Sequence, residues 1–160
     1  MCIRDRGYPA GEAVYFISNR KTSAFTNREF LWDGSLFLDI LKADKKGIQM
    51  VNPQYLPHSV NKKYHEGSLC FSKDGKTVFF TRNYVKKKYK SDAEIQNLEL
   101  YRADVDDEGH WFNLTELPMN SINYSVGHPC LSPDERMLYF SSDMPGGFGG
   151  ADIYRVDLHE

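Results

Sequence analysis

The feature that most constrains this chain is a duplication inside it. Gly67-Ser68-Leu69-Cys70-Phe71-Ser72-Lys73-Asp74-Gly75-Lys76-Thr77-Val78-Phe79-Phe80 aligns without a gap on Gly127-His128-Pro129-Cys130-Leu131-Ser132-Pro133-Asp134-Glu135-Arg136-Met137-Leu138-Tyr139-Phe140, an offset of 60 positions. After short insertions, Glu99-Leu100-Tyr101-Arg102-Ala103-Asp104 falls on Asp152-Ile153-Tyr154-Arg155-Val156-Asp157. Each copy of such a repeat is one supersecondary unit that buries its apolar surface against its neighbours.

The unit reads as a run of short strands. His128 to Ser132 is the first, and Ser132-Pro133-Asp134-Glu135 carries turn chemistry, since Pro presets φ and Asp hydrogen-bonds its own backbone. The earlier copy has Asp74-Gly75 there, a strong hairpin signal, because Gly accepts the positive φ such turns demand. Thr77 to Thr81 and Met137 to Ser141 are near-continuous apolar runs, the pattern of strands covered on both faces. Third strands follow at Leu98 to Ala103 and Asp152 to Val156, and a weaker fourth around Trp111 to Leu114. A partial copy precedes both: Ala13 to Asn19 matches Thr77 to Asn83, and Asp39 to Asp44 matches Glu99 to Asp104. Leu56-Pro57 and Leu117-Pro118 occupy like places between copies.

Short antiparallel strands with doubly covered middle strands predict an all-β chain that is a partial β-propeller. It holds about two and a half four-stranded antiparallel blades, over 8–55, 56–116 and, incomplete, 117–160. A β-sandwich, which covers one face and predicts alternation, comes second. Propellers close with roughly four to eight blades. The expectation is therefore a piece of a longer ring, with uncovered sheet faces and a tendency to self-associate. Residues 1–6 match nothing in the repeat and read as a non-native or disordered leader.

Ser132-Pro133-Asp134 through Ser142-Asp143, followed by Pro145-Gly146-Gly147-Phe148-Gly149-Gly150-Ala151-Asp152-Ile153-Tyr154, resembles the PD40 repeat, a WD40-like propeller repeat similar to those of TolB-like proteins. The Gly-rich insertion resembles the version in OmpA-family outer-membrane proteins of Bacteroidetes-type bacteria. The resemblance covers most of residues 64–160 and, more faintly, 8–63. The middle copy departs from it, with Lys73 for Pro133 and Tyr84 to Asn97 in place of the insertion. The resemblance implies a non-catalytic binding or scaffold segment of a peptidoglycan-associated envelope protein, in the periplasm or at the outer membrane, meeting a protein or cell-wall partner. Two alternatives stand beside it: the propeller of a prolyl-oligopeptidase-type serine hydrolase whose catalytic domain lies elsewhere, or a TolB-like translocation partner.

The residues themselves offer few sites, and no catalytic residue, cofactor or metal is assigned. A net charge of −2 argues against a nucleic-acid footprint, and no apolar run reaches the roughly 18 residues of a membrane span. Gly146 to Gly150 fits neither phosphate-loop pattern and leads into a strand, so it reads as a flexible connection. Asp104-Val105-Asp106-Asp107-Glu108-Gly109 has calcium-like acidic spacing, but the equivalent turn is Asp44-Lys45-Lys46-Gly47, so it reads as a hairpin turn. Lys86 to Lys90, followed by Ser91 to Glu94, reads as a solvated, self-compensating loop, with an acidic partner or glycan as the sharper option. A short helix over Ala93 to Leu100 is an alternative there.

His58, His65, His110, His128 and His159 form no metal spacing, and His128 reads as a packing or strand-edge residue. Cys70 and Cys130 share one repeat position and read as small core residues, with Cys2 apart. Asp39, Glu99 and Asp152 recur at the third strand's start and read as structural hydrogen-bonding residues.

Overall fold

The computed structural model describes residues 8–10, 13–19, 37–62, 65–83 and 97–158, and no helix lies among them. The leader 1–6, the basic cluster Lys86 to Lys90 with Ser91 to Glu94, Cys2 and His159 lie outside the described residues. The fold is all-β: the described residues form three antiparallel sheets with no closed barrel among them, consistent with part of a propeller. The first sheet joins β1 (Tyr8–Ala10), β2 (Ala13–Ser18), β3 (Asp39–Lys46) and β4 (Gln49–Tyr55) in that order. The second joins β5 (Glu66–Phe71), β6 (Thr77–Asn83), β7 (Leu98–Val105) and β8 (Trp111–Glu116). The third has β9 (Val126–Leu131), β10 (Met137–Ser142) and β11 (Asp152–Asp157). The chain divides into two compact units, residues 1–67 and 68–160.

The second and third sheets share their first turn's hydrogen bonds residue for residue. In the β5–β6 turn, Ser72 Oγ donates to Asp74 Oδ1 at 2.6 Å while accepting from Thr77 N at 2.9 Å, and Lys76 N donates to Asp74 Oδ1 at 2.9 Å. The β9–β10 turn repeats this with Ser132, Asp134, Met137 and Arg136, at 2.6, 3.0 and 3.2 Å. These bonds hold both aspartates below the usual carboxylate range, the serine hydroxyl being the larger cause. Gly75 sits at φ 71°, where Glu135 of the sister turn takes φ 61°, a conformation that is strained for a side chain.

The fourth strands carry a second shared device. β3 and β7 both shift register at the same place, between Lys42 and Asp44 and between Arg102 and Asp104. Opposite each shift stands an asparagine in the left-handed region, Asn52 at φ 53° and Asn113 at φ 49°. Their Nδ2 groups donate to Asp44 and Asp104 at 3.0 Å each. Asn tolerates this conformation because its short polar side chain bonds locally.

A third device closes each unit. Ile40 and Leu100 are both fully buried. The Asn61 side chain accepts from Ile40 N at 3.0 Å and donates to Ile40 O at 2.9 Å. Asn120 does the same for Leu100, at 2.8 Å in both directions. Leu56 N and Leu117 N add a bond to the same two carbonyls. The side-chain amide thus replaces a strand partner where the chain turns away, as buried backbone groups require.

Within the second unit, the second and third sheets stack. Leu100, Val126 and Phe140 form one buried cluster, with Leu117, Met119, Tyr124, Tyr154 and Val156 packed on it. Gly127 permits the approach, since a Cβ there would lie 3.2 Å from Thr81 Cγ2 and 3.3 Å from Leu98 Cδ1. Phe80 stacks on Tyr101 at 5.7 Å between ring centroids, and Phe140 on Tyr154 at 5.9 Å. The pairs are equivalent, although both tyrosines are half-buried because their hydroxyls reach polar partners at the rim.

β6 and β2 have consecutive buried residues, Val78-Phe79-Phe80 and Val14-Tyr15-Phe16, as strands covered on both faces should. The expectation fails for β10. Leu138, Phe140 and Ser142 are buried, whereas Met137, Tyr139 and Ser141 are not. The first set faces the stacked second sheet, and no described strand covers the other face. The alternative of a short helix over Ala93 to Leu100 is overturned at Leu98–Leu100, which are β7 strand residues, while 93–96 lie outside the described residues.

Candidate functional site

The seam between the second and third sheets brings together the most chemically active side chains. Ser68 and His128 stand at the same repeat position on β5 and β9, and both take positive φ, 36° and 57°. Ser68 Oγ and His128 Nδ1 share a hydrogen bond of 2.6 Å, and His128 N donates to Thr81 Oγ1 at 3.0 Å. Lys73 N bonds the Glu135 carboxylate further along the seam. Between these bonds lie the two thiols, Cys70 buried and Cys130 exposed. Burial pushes the Cys70 thiol up to about 12, outweighing the hydrogen bond from the Leu131 backbone, which favours the thiolate. Cys70 is thus an inert core thiol. Cys130 departs from the reading of a small buried residue, because the sheet that covers its sister's face has no described counterpart on its own. Through its bonds to Ser68 and Thr81, His128 ties β9 to β5 and β6 across the seam.

The acidic turn after β7 holds Asp106, Glu108 and His110, whose donor atoms lie within 4.8 Å of one another at the surface. Asp106 accepts from His110 N at 2.7 Å and meets His110 Nδ1 at 3.0 Å. The backbone bond from His110 is the main reason the Asp106 carboxyl is held low. Gly109 takes φ 81° and donates to Asp106 O at 3.0 Å. Both oxygens of Asp106 are spent on closing the hairpin, so the geometry is that of a turn lock.

The Gly-rich run is a connection between β10 and β11, but it is tied down rather than loose. Gly149 N donates to Asp152 Oδ2 at 3.0 Å, and Tyr154 Oη to Met144 O at 3.2 Å. A Cβ on Gly147 would collide with the Asp152 carboxylate and come within 2.8 Å of Tyr154 Oη. Phe148 projects fully into solvent from this loop.

A buried polar group that the sequence did not announce lies on the second sheet. Arg82 and Glu99 are cross-strand neighbours, 8% and 3% exposed. The Arg82 guanidinium lies 4.6 Å from the Tyr101 ring centroid and 5.2 Å from that of Phe80, a cation–π arrangement. Tyr101 Oη donates to Glu99 Oε2 at 2.9 Å. Burial first, then that bond, raises the Tyr101 phenol well above its ordinary range, keeping it a donor. Equivalent positions carry Ser142 and Asp152, so no repeat pattern pointed to Arg82.

The other described histidines, His58 and His65, bond backbone groups. His58 Nδ1 meets Asn61 O at 2.8 Å, and His65 Nδ1 accepts from Leu38 N at 3.1 Å with its ring edge-on to Phe37. Glu99 and Asp152, the recurring acids, make structural bonds to Tyr101 and Gly149. No helix among the described residues is long and apolar enough to cross a membrane. The chain matches no family model and no curated protein.

Proposed function

We propose that this chain is a non-catalytic binding or scaffold segment of β-propeller type, belonging to a cell-envelope protein of the OmpA-family kind that works against a protein or cell-wall partner. One observation carries the reading. The polar residues that recur from copy to copy, Ser72 and Ser132, Asp74 and Asp134, Asn61 and Asn120, are absorbed in the same backbone-fixing bonds. These positions are accounted for by the fixing of turns and strand ends, and stacked sheets presenting varied loops are a binding architecture. The envelope setting rests on the resemblance of the last copy alone, since fold does not fix function.

Co-sedimentation of the purified chain with peptidoglycan sacculi, alongside a panel of peptide and ester substrates, tests the reading. The expected result is saturable retention on sacculi or on an envelope protein, without turnover. Hydrolysis that disappears on replacing one Ser, His or Asp of this chain would overturn it.

A further inference from the structure

The hairpin that joins β3 to β4 carries side chains its own folding does not require. Lys46 pairs with Gln49 across the strands, which leaves Gly47 and Ile48 as a two-residue turn. Gly47 supplies the positive φ, 61°, that the first central position of such a turn needs. Ile48, the second, is fully exposed, and a Cβ on Gly47 would meet nothing within 4 Å. Met50 is 49% exposed, and its cross-strand partner is Lys45. Every residue from Asp44 to Met50 is exposed.

The turn at the same place in the second sheet, between β7 and β8, also faces solvent. Asp107 and Glu108 are exposed there although that sheet has four strands and the third sheet stacked on it. Exposure therefore belongs to the turn's place in the unit, and what differs is the chemistry. The sister turn, Asp106-Asp107-Glu108, is acidic and is locked by bonds between Asp106 and His110. The first-sheet turn is Lys45-Lys46-Gly47-Ile48, a large apolar side chain with two cations behind it. Turn positions that only close a hairpin favour small or polar residues, so an isoleucine there breaks the local rule with no gain in packing. No ion pair among the described residues takes up Lys45 or Lys46. The neighbouring acid, Asp44, is engaged by Asn52 Nδ2 at 3.0 Å.

We propose that the tip of the β3–β4 hairpin docks on an anionic lipid surface. Ile48, outermost, enters the boundary between headgroups and acyl chains, and the ammonium groups of Lys45 and Lys46 meet lipid phosphates. Met50 lies level with Lys45 at the interface. The layering favours lipid over an acidic protein. The cations sit in the first and second strand pairs behind the turn, so the apolar group leads and the charges follow. That order matches the depth profile of a bilayer surface, whereas an acidic groove would pair the lysines and leave the leading isoleucine without a partner. A single short element of this kind gives weak, reversible attachment. The docking goes beyond the scaffold reading and does not depend on it.

The test is co-sedimentation of the full chain with two kinds of vesicle, one equimolar in phosphatidylcholine and phosphatidylglycerol, the other phosphatidylcholine alone. Partition onto the anionic vesicles should be at least about 10-fold stronger and should fall with added salt. Ile48→Ser and the double variant Lys45→Gln/Lys46→Gln should each weaken it about 5-fold or more. Both should leave the circular dichroism spectrum unchanged, since all three side chains are exposed. Ile48→Trp should gain emission that shifts to the blue on adding anionic vesicles and is quenched by brominated lipid. Undiminished binding of the Ile48→Ser or double-lysine variant would place the lipid contact elsewhere, as in the Lys86 to Lys90 cluster, and overturn the proposal. Equal binding to both vesicles, or an unshifted Ile48→Trp emission, would overturn it too. So would retention on immobilised polyglutamate but not on vesicles, which would make an acidic polypeptide the partner.

Discussion

Replacing Asn120 with alanine should destabilise the second unit by about 2–4 kcal/mol, and the magnitude follows from what Leu100 loses. Leu100 is fully buried, and its N–H has Asn120 Oδ1 as its partner at 2.8 Å. An alanine leaves that donor unpaired, at about 1–3 kcal/mol for a buried group. The carbonyl of Leu100 keeps the bond from Leu117 N at 3.1 Å, so the loss of Asn120 Nδ2 there costs only a net bond, about 0.5–1.5 kcal/mol. Asn61→Ala removes the same pair around Ile40. It also loses a bond to Leu56 O at 3.3 Å, in a site more buried than that of Asn120, where water can repair less. Asn61→Ala should therefore cost at least as much. Urea unfolding followed by circular dichroism measures both, with the slope unchanged if only stability is affected. Losses below about 0.5 kcal/mol for both variants, the range of ordinary surface substitutions, would refute the idea that these amides act as strand substitutes.

Further outcomes follow from the same structure. Phe80→Ala and Phe140→Ala should each cost about 3–5 kcal/mol by denaturant unfolding, since both rings are buried and stacked on a tyrosine. In a Cys2→Ser background, a thiol reagent at pH 8 should label Cys130 at once and Cys70 only on unfolding, because burial holds the Cys70 proton to about pH 12. Asp74 and Asp134 have lowered folded-state pKa values, so their contribution is present above the unfolded carboxylate pKa, about 3.9, and is lost as pH falls through the folded values. The double variant Asp74→Asn/Asp134→Asn should accordingly show a shallower fall in melting temperature on acidification below that point than the parent.

Much of this fold could be read from the chain because its signals are local. Asp74-Gly75 and Ser132-Pro133-Asp134 announce their turns by residue type alone, and the apolar runs at Val78 and Leu138 announce middle strands. The asparagine clamps were not legible. Pro57 and Asn61 are separated by three residues and Pro118 and Asn120 by one, so no gapless comparison places Asn61 on Asn120. Their role appears only when the carbonyl of a residue some 20 positions away needs a partner. Tyr139 and Ile153 mislead for a related reason. Their residue types belong to a covered face, yet coverage depends on what stacks there, which no window of sequence encodes. The repeat sets Ser68 and His128 at one position, but nothing along the chain says that equivalent positions of adjacent sheets touch.

Residue-resolved hydrogen exchange tests the central claim most directly, because one backbone position is read in three copies of one unit. The amides of Ile40 and Leu100, each held by an asparagine, should exchange only through opening of their sheets. The amide of Ile153, on the edge strand of its sheet, should exchange at least about 100-fold faster. Protection of Ile153 equal to that of Leu100, or loss of protection at Ile40 and Leu100 alike, would contradict the account.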